Sequence, residues 1–237
     1  MNILAIDTTG KVSTCALLEE NDIVASFEVN VPLTHSETAL PMVEDLLRES
    51  RFSLEQVDLF AVAAGPGSFT GVRIGVSAIK GLAFALDKPC VGISTLEGLA
   101  MNLAEFDGWI VPALDARRGQ IYTAAFQWKN GELLRIVEDQ AVDAKEFGGN
   151  LPKDGTKIWA LGDGAEILKN SVPENGFVQL APTDLRFQRA SSVARRALWV
   201  AENLPESVVT AASLEIDYLR LSQAERERAE RNRNEEQ

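Results

Sequence analysis

The chain of 237 residues is 46% apolar and 24% charged, ordinary globular proportions with apolar mass enough for a sizeable core. Its net charge of −12 disfavours a free-standing nucleic-acid binder, because phosphate contacts need clustered Lys and Arg. The opening Met1-Asn2-Ile3-Leu4-Ala5-Ile6-Asp7 lacks the basic start of a signal peptide, and no apolar stretch approaches the ~20 residues that span a bilayer.

Residues 2–7 form an apolar run stopped by Asp7-Thr8-Thr9-Gly10, and 12–19 form a second strand. Glu20-Asn21-Asp22 turns the chain, and 23–30 return with alternation at Ile23, Ala25, Phe27 and Val29. Thr34-His35-Ser36-Glu37 has the spacing of a capping box and opens a helix with Ala39, Leu40, Val43, Leu46 and Leu47 on an apolar stripe. Pro41 lies within that stripe, so a kink or a late start is expected. Residues 57–64 read as a buried strand, 68–86 as a helix and 89–93 as another strand, and Ser94-Thr95-Leu96-Glu97 caps a short helix. Cys15 and Cys90 sit inside apolar strand-like runs, which predicts buried reduced thiols and a cytoplasmic protein.

The opening pattern then recurs. Ile110-Val111-Pro112-Ala113-Leu114-Asp115 ends at an Asp, Ala116-Arg117-Arg118-Gly119 turns, and 120–128 run out as a strand. Asn130-Gly131, a strong hairpin signal, sends 133–137 back. Asp7 superposes on Asp115 with about one residue of slippage. The repeat predicts an α/β protein of two similar lobes, each a mixed sheet flanked by helices, over residues 1–104 and 105–223. In the second lobe, strands are expected at 157–161 and 177–180 and a helix at 188–203; residues 224–237 read as a charged, solvated tail.

Four groups of residues carry chemical meaning. Gly65-Pro66-Gly67-Ser68-Phe69-Thr70-Gly71-Val72-Arg73-Ile74-Gly75 joins a strand to a helix, where backbone amides can hold an anion. It lacks the Gly-Lys-Ser/Thr of a P-loop and the spacing of a dinucleotide fingerprint. Packing is the stronger reading: Gly71, Gly75, Ala78 and Ala85 form a smooth stripe on which a neighbouring helix could approach closely, beside an apolar stripe that includes Val72 and Ile79. His35 is the only histidine, which excludes a metal site built from several histidines and disfavours a hydrolytic triad. Asp7, Thr8, Thr9 and Asp115 stand where actin-type kinases and ATPases hold phosphate and magnesium, but Arg117-Arg118 replaces the small residues that phosphate needs. Gly162-Asp163-Gly164 reads as a strand-to-helix turn or a relic of an adenosine loop.

Ile3-Leu4-Ala5-Ile6-Asp7-Thr8-Thr9, the block from Gly65 to Gly75, Ala113-Leu114-Asp115-Ala116-Arg117 and the late Asp217-Tyr218-Leu219-Arg220 stand in the order seen in the TsaB (YeaZ) family of bacterial tRNA threonylcarbamoyladenosine biosynthesis proteins, which the chain resembles almost throughout. The resemblance implies two actin-like (ASKHA, RNase H-like) lobes. It also implies a non-catalytic partner of the threonylcarbamoyl transferase TsaD, joined by the ATPase TsaE, acting on the adenosine beside the anticodon of tRNAs that read codons beginning with A. Nucleotide (ATP or ADP) and metal are then expected on the partner subunits, none on this chain alone, with tRNA met only through the complex and a homodimer in isolation. The transferase carries a second histidine where this chain has Ala39. By the same resemblance the helices around 36–50 and 68–86 form the self-dimer or transferase contact, with Leu40, Val43, Leu47, Gly71, Val72, Arg73, Gly75 and Ile79 as expected contributors. Arg73 is a candidate to pair with Glu44 or Asp45, at that interface or as a simple intra-chain salt bridge, and a bulky residue at Gly75 is expected to abolish association while leaving the monomer folded. A stand-alone actin-fold ATPase or kinase is the alternative; a peptidase rests on inherited naming alone.

Overall fold

The structure, a computed structural model, describes residues 1–31, 33–172 and 177–219, so Arg220 and the tail expected at 224–237 lie outside the described residues. The chain opens with β1 (Asn2–Asp7), β2 (Ser13–Glu19) and β3 (Asp22–Val29), then α1 (His35–Ser50), β4 (Leu59–Gly65), α2 (Phe69–Ala85) and β5 (Cys90–Ser94). These strands form one sheet in the order β3-β2-β1-β4-β5, antiparallel through the first three and parallel from β1 to β5. After α3 (Thr95–Ala100) the plan repeats: β6 (Trp109–Asp115), β7 (Gln120–Lys129), β8 (Glu132–Asp143), α4 (Ala144–Gly149), β9 (Ile158–Leu161), α5 (Ala165–Ser171) and β10 (Val178–Leu180). Their sheet runs β8-β7-β6-β9-β10 with the same sequence of antiparallel and parallel pairings. The two similar lobes expected from the Asp7/Asp115 repeat, each a mixed sheet flanked by helices, are therefore present.

β1 is buried along both faces, because successive side chains leave it in opposite directions into two different cores. Leu4 and Ile6 join Val43, Leu46, Val72, Val76 and Ile79 beneath α1 and α2. Ile3 and Ala5 point the other way, into a core closed by α6 (Ala190–Asn203) through Ala190, Val193, Ala194 and Ala197. This corrects the assignment of residues 105–223 as one lobe: chain order put the 188–203 helix in the second lobe, but its apolar stripe packs on the first sheet. A valine buried this way contributes about 1.5–3 kcal/mol, so α6 is integral to the first lobe.

The segment after α6 also stays with the first sheet. Val209 pairs with Cys90 at the outer edge of β5, each amide reaching the other's carbonyl at 2.8 Å. Lys80 Nζ on α2 donates to the carbonyls of Ala212 (3.3 Å) and Leu214 (2.9 Å), and the Asp217 amide donates to Ala64 O at 2.9 Å. Residues 208–217 thus form a strap from the sheet edge to the end of β4. There Gly65, at φ 119°, leaves room for the Asp217 carbonyl, which a side chain would overlap.

Between the lobes lie α3 and the turn after it, whose Leu96, Leu99, Ala100 and Leu103 share a core with Ile110, Leu114 and Phe126 of the second sheet. Beside this apolar contact runs a charged seam. Glu97 of α3 accepts from Arg196 of α6 at 3.2 and 3.1 Å and from Arg135 of β8 at 2.9 Å, and Arg135 also pairs with Asp139. α1 begins at His35 inside its capping box and continues past Pro41, whose ring is on the exposed side; the late start does not occur. No helix among the described residues is long and apolar enough to cross a membrane.

Candidate functional site

Two concave surfaces meet at the amino-terminal end of α2. The first is a cleft of about 460 Å³ between the lobes, whose walls include Thr9, Lys11, Asp115, Arg117, Asp163 and Tyr218. The turn after β1 reaches this cleft with the Thr8 and Thr9 hydroxyls and the Asp7 carboxylate already engaged. The Asp7 carboxylate accepts from the Thr9 amide at 2.8 Å and the Thr9 hydroxyl at 2.6 Å. Thr8 Oγ1 donates to Gly71 O at 2.7 Å, Ser68 N donates to Thr9 O at 2.8 Å, and His35 Nε2 donates to Gly10 O at 2.8 Å. Burial pushes Asp7 up to about 6, against the lowering effect of the two Thr9 bonds.

The turn after β6 is built alike but carries larger side chains. Asp115 accepts from the Arg117 amide at 2.7 Å, and its other oxygen lies 3.5 Å from the Arg117 guanidinium. Asp163 in turn accepts from the Asp115 amide at 3.0 Å. Arg117 and Arg118 both adopt positive φ, 69° and 55°, an arrangement that costs a non-glycine residue free energy. Of the four residues expected in a remnant nucleotide cleft, Thr9 and Asp115 line it, whereas Asp7 and Thr8 are buried behind it. Among the described residues no three His, Cys, Asp or Glu side chains cluster closely enough to hold a metal ion.

The second surface is a groove of about 580 Å³ between α1 and α2, lined by Leu40, Ala39, Phe69, Arg73, Ile74 and Ala78 with three small hydroxyl residues. Of the expected contributors, Leu40 (50% exposed) and Arg73 reach it. Val43, Val72 and Ile79 are corrected: all three are buried in the lobe's own core, and Leu47 packs against the same core. Gly71 and Gly75 are corrected too. They are buried against the β1 turn, where a Cβ on Gly75 would lie 2.6 Å from Thr8 Oγ1 and one on Gly71 would overlap the Thr8 carbonyl. The glycines admit the chain's own turn rather than a neighbouring helix. The outer face of α2 instead presents Ser77, Gly81, Phe84 and Ala85, with Phe84 79% exposed. Within the chain Arg73 pairs with neither Glu44 nor Asp45: Asp45 binds Arg48, while Arg73 Nε donates to Tyr218 Oη at 2.8 Å and its guanidinium lies 3.8 Å from the Phe69 ring centre.

Phe84 and the Glu97 seam were not singled out from sequence, and Tyr218 only as part of the late Asp217-Tyr218-Leu219-Arg220 motif, without its contact to α2. Phe84 was recoverable, because Arg73, Ser77, Gly81 and Phe84 recur at helical spacing opposite the core stripe. The contact of Tyr218 with α2 was not, since it is made only through the path of the strap.

The family model for tRNA N6-adenosine threonylcarbamoyltransferase (TsaD) matches residues 30–224. The chain is 36% identical to the tRNA threonylcarbamoyladenosine biosynthesis protein TsaB of Bacillus subtilis, over 95% of this chain and 96% of that one. The chain belongs to the TsaB (YeaZ) family. TsaB of Escherichia coli is 39% identical over 75% of this chain and 78% of its own. The solved structure of YeaZ from Pseudomonas aeruginosa superposes with a TM-score of 0.80 at 29% identity, over 92% of this chain and 99% of that one. The chain thus matches TsaB relatives over most of their length and the transferase family model over residues 30–224. In this TsaB-family chain, Ala39 stands where the transferase is expected to carry a second histidine, and it is buried at the groove floor.

Proposed function

We propose that this chain serves in tRNA threonylcarbamoyladenosine biosynthesis, the role carried in its family's name, as a cytoplasmic, non-catalytic subunit that binds and organises the transferase TsaD. The observation that carries the reading is the α1–α2 groove, lined by Leu40, Ala39, Phe69, Ile74 and Ala78, with Leu40 exposed in it and Phe84 exposed further along the outer face of α2. The inter-lobe cleft supports the same reading from the other side. Phosphoryl chemistry there would need free amides and small residues near Asp7 and Asp115. The Thr9 amide and hydroxyl are instead bonded to Asp7 and the Thr8 hydroxyl to Gly71 O, and Arg117 occupies the wall of the second turn. In this reading, ATP or ADP and metal belong to TsaD and the ATPase TsaE, which completes the complex; tRNA is met through that complex; and the same groove holds two copies together when the transferase is absent.

Reconstitution tests it. Modified adenosine should form in tRNA when this chain is combined with TsaD and TsaE and should be lost when it is omitted. The chain incubated alone with ATP and magnesium should turn nothing over. Turnover that disappears on changing Asp7 and Asp115 would make it an ATPase or kinase in its own right.

A further inference from the structure

The cleft and the groove are neighbours separated by one small stack of side chains. Phe69 lines both, Arg73 lines the groove and Tyr218 lines the cleft. Phe69 and Tyr218 stand 5.3 Å apart in a tilted pair, with the Arg73 guanidinium 3.8 Å from the centre of the first ring and 5.8 Å from that of the second. The Arg73 Nε–Tyr218 Oη bond joins α2 to the end of the strap, 145 residues away in sequence. Arg73 has no ion pair among the described residues.

We infer that this stack is a latch through which a partner in the α1–α2 groove fixes the strap, and with it the Tyr218 wall of the cleft. The inference rests on the reading of the groove as the transferase site. In the free chain Arg73 is exposed and its contact with the rings is mostly hydrated, so the latch is weak. An apolar occupant of the groove takes water from Arg73 without offering a carboxylate in exchange. The guanidinium then has Phe69 and Tyr218 as its partners, and both contacts strengthen as water leaves. The strap is suited to respond, because beyond Leu214 it is held by few contacts: Ile216 half-buried against the core, the Asp217 amide bond to Ala64 and the Tyr218 contact. Coupling of this kind is reciprocal: whatever the groove adds to the strap, the strap returns as affinity for the occupant.

Amide hydrogen exchange read in peptides spanning 212–219 tests it, with the chain diluted to a monomer and then saturated with TsaD. In the wild type, exchange should slow by about fivefold on saturation, the low end of typical coupling between sites. Tyr218→Ala should abolish that slowing and weaken TsaD binding by about the same factor, while Tyr218→Phe, which keeps the ring but not the hydroxyl, should fall between. Leu40→Asp should prevent binding altogether. If TsaD binds, Leu40→Asp blocks it and the strap still exchanges unchanged, the latch is wrong and the groove stands. If Leu40→Asp binds as well as wild type, the groove is not the transferase site and the latch falls with it.

Discussion

The Thr8 hydroxyl donates to the carbonyl of Gly71 at 2.7 Å, and Gly75 stands one helical turn further on with no side chain to interfere. Through this pair the end of β1 is pressed onto the start of α2. Replacing Gly75 with leucine should therefore damage the monomer itself, by about 3 kcal/mol, the upper part of the usual cost of overpacking. Urea unfolding of the dilute protein measures it; a variant as stable as wild type that merely failed to associate would return Gly75 to the interface.

Leu40 and Phe84 behave differently because they are exposed. Leu40→Asp and Phe84→Asp should each change monomer stability by no more than about 0.5 kcal/mol, as surface substitutions do. Both should weaken association, Leu40→Asp the more, because Leu40 lines the groove while Phe84, 79% exposed, stands further along α2. Size determination by light scattering, alone and with the transferase, checks both.

Asp7 gives the chain a pH dependence whose sign can be worked out. Its carboxyl moves from 3.8 to about 6 on folding, so the folded protein holds the proton more tightly than the unfolded one. The stability this group contributes is present below pH ~4 and is lost as pH rises towards ~6, a change of about 3 kcal/mol across that window. Asp7→Asn keeps an acceptor for the two Thr9 donors and removes the charge. It should flatten that part of the stability curve and make the protein more stable than wild type at pH 7, as thermal unfolding across pH would reveal.

The charged seam between the lobes offers a contrast in burial. Glu97, Arg135 and Arg196 side chains are 15%, 22% and 10% exposed, so Glu97→Gln leaves two largely buried guanidinium groups short of their counter-charge. A loss of about 3 kcal/mol is expected. The Arg189–Glu28 pair, at 3.1 Å but 36% and 41% exposed, should yield under 1 kcal/mol when Glu28→Gln is made. Equal effects would mean that burial is not what sets the strength of the seam.

Elements with a local signal were legible in the sequence. The strand periods, the Thr34–Glu37 capping box, the Asn130-Gly131 hairpin and the Asp7/Asp115 repeat all depend on neighbours within a few residues, and all are found where expected. α4, at six residues, was missed and α5, at seven, was signalled only by the Gly162-Asp163-Gly164 turn before it, because so short a helix shows less than two turns of its period. What composition could not convey was which surface faces which. A glycine stripe signals close approach and does not name the approaching group; here that group is Thr8, some 60 residues back along the chain. The apolar stripe of α6 was equally plain, yet its partner, the far side of the first sheet, is set by topology.

That last placement bears on how the protein is made. The face of the first sheet formed by Ile3, Ala5, Ala16 and Leu18 is among the earliest sequence to be synthesised, but its cover, Ala190 to Val200, comes nearly last. While the intervening residues are being added, at some 5–20 per second, the nascent chain carries that face open for roughly ten to forty seconds. The first lobe to be written is thus the last to close, and a ribosome that stalls before Ala190 releases a chain with half its first core bare.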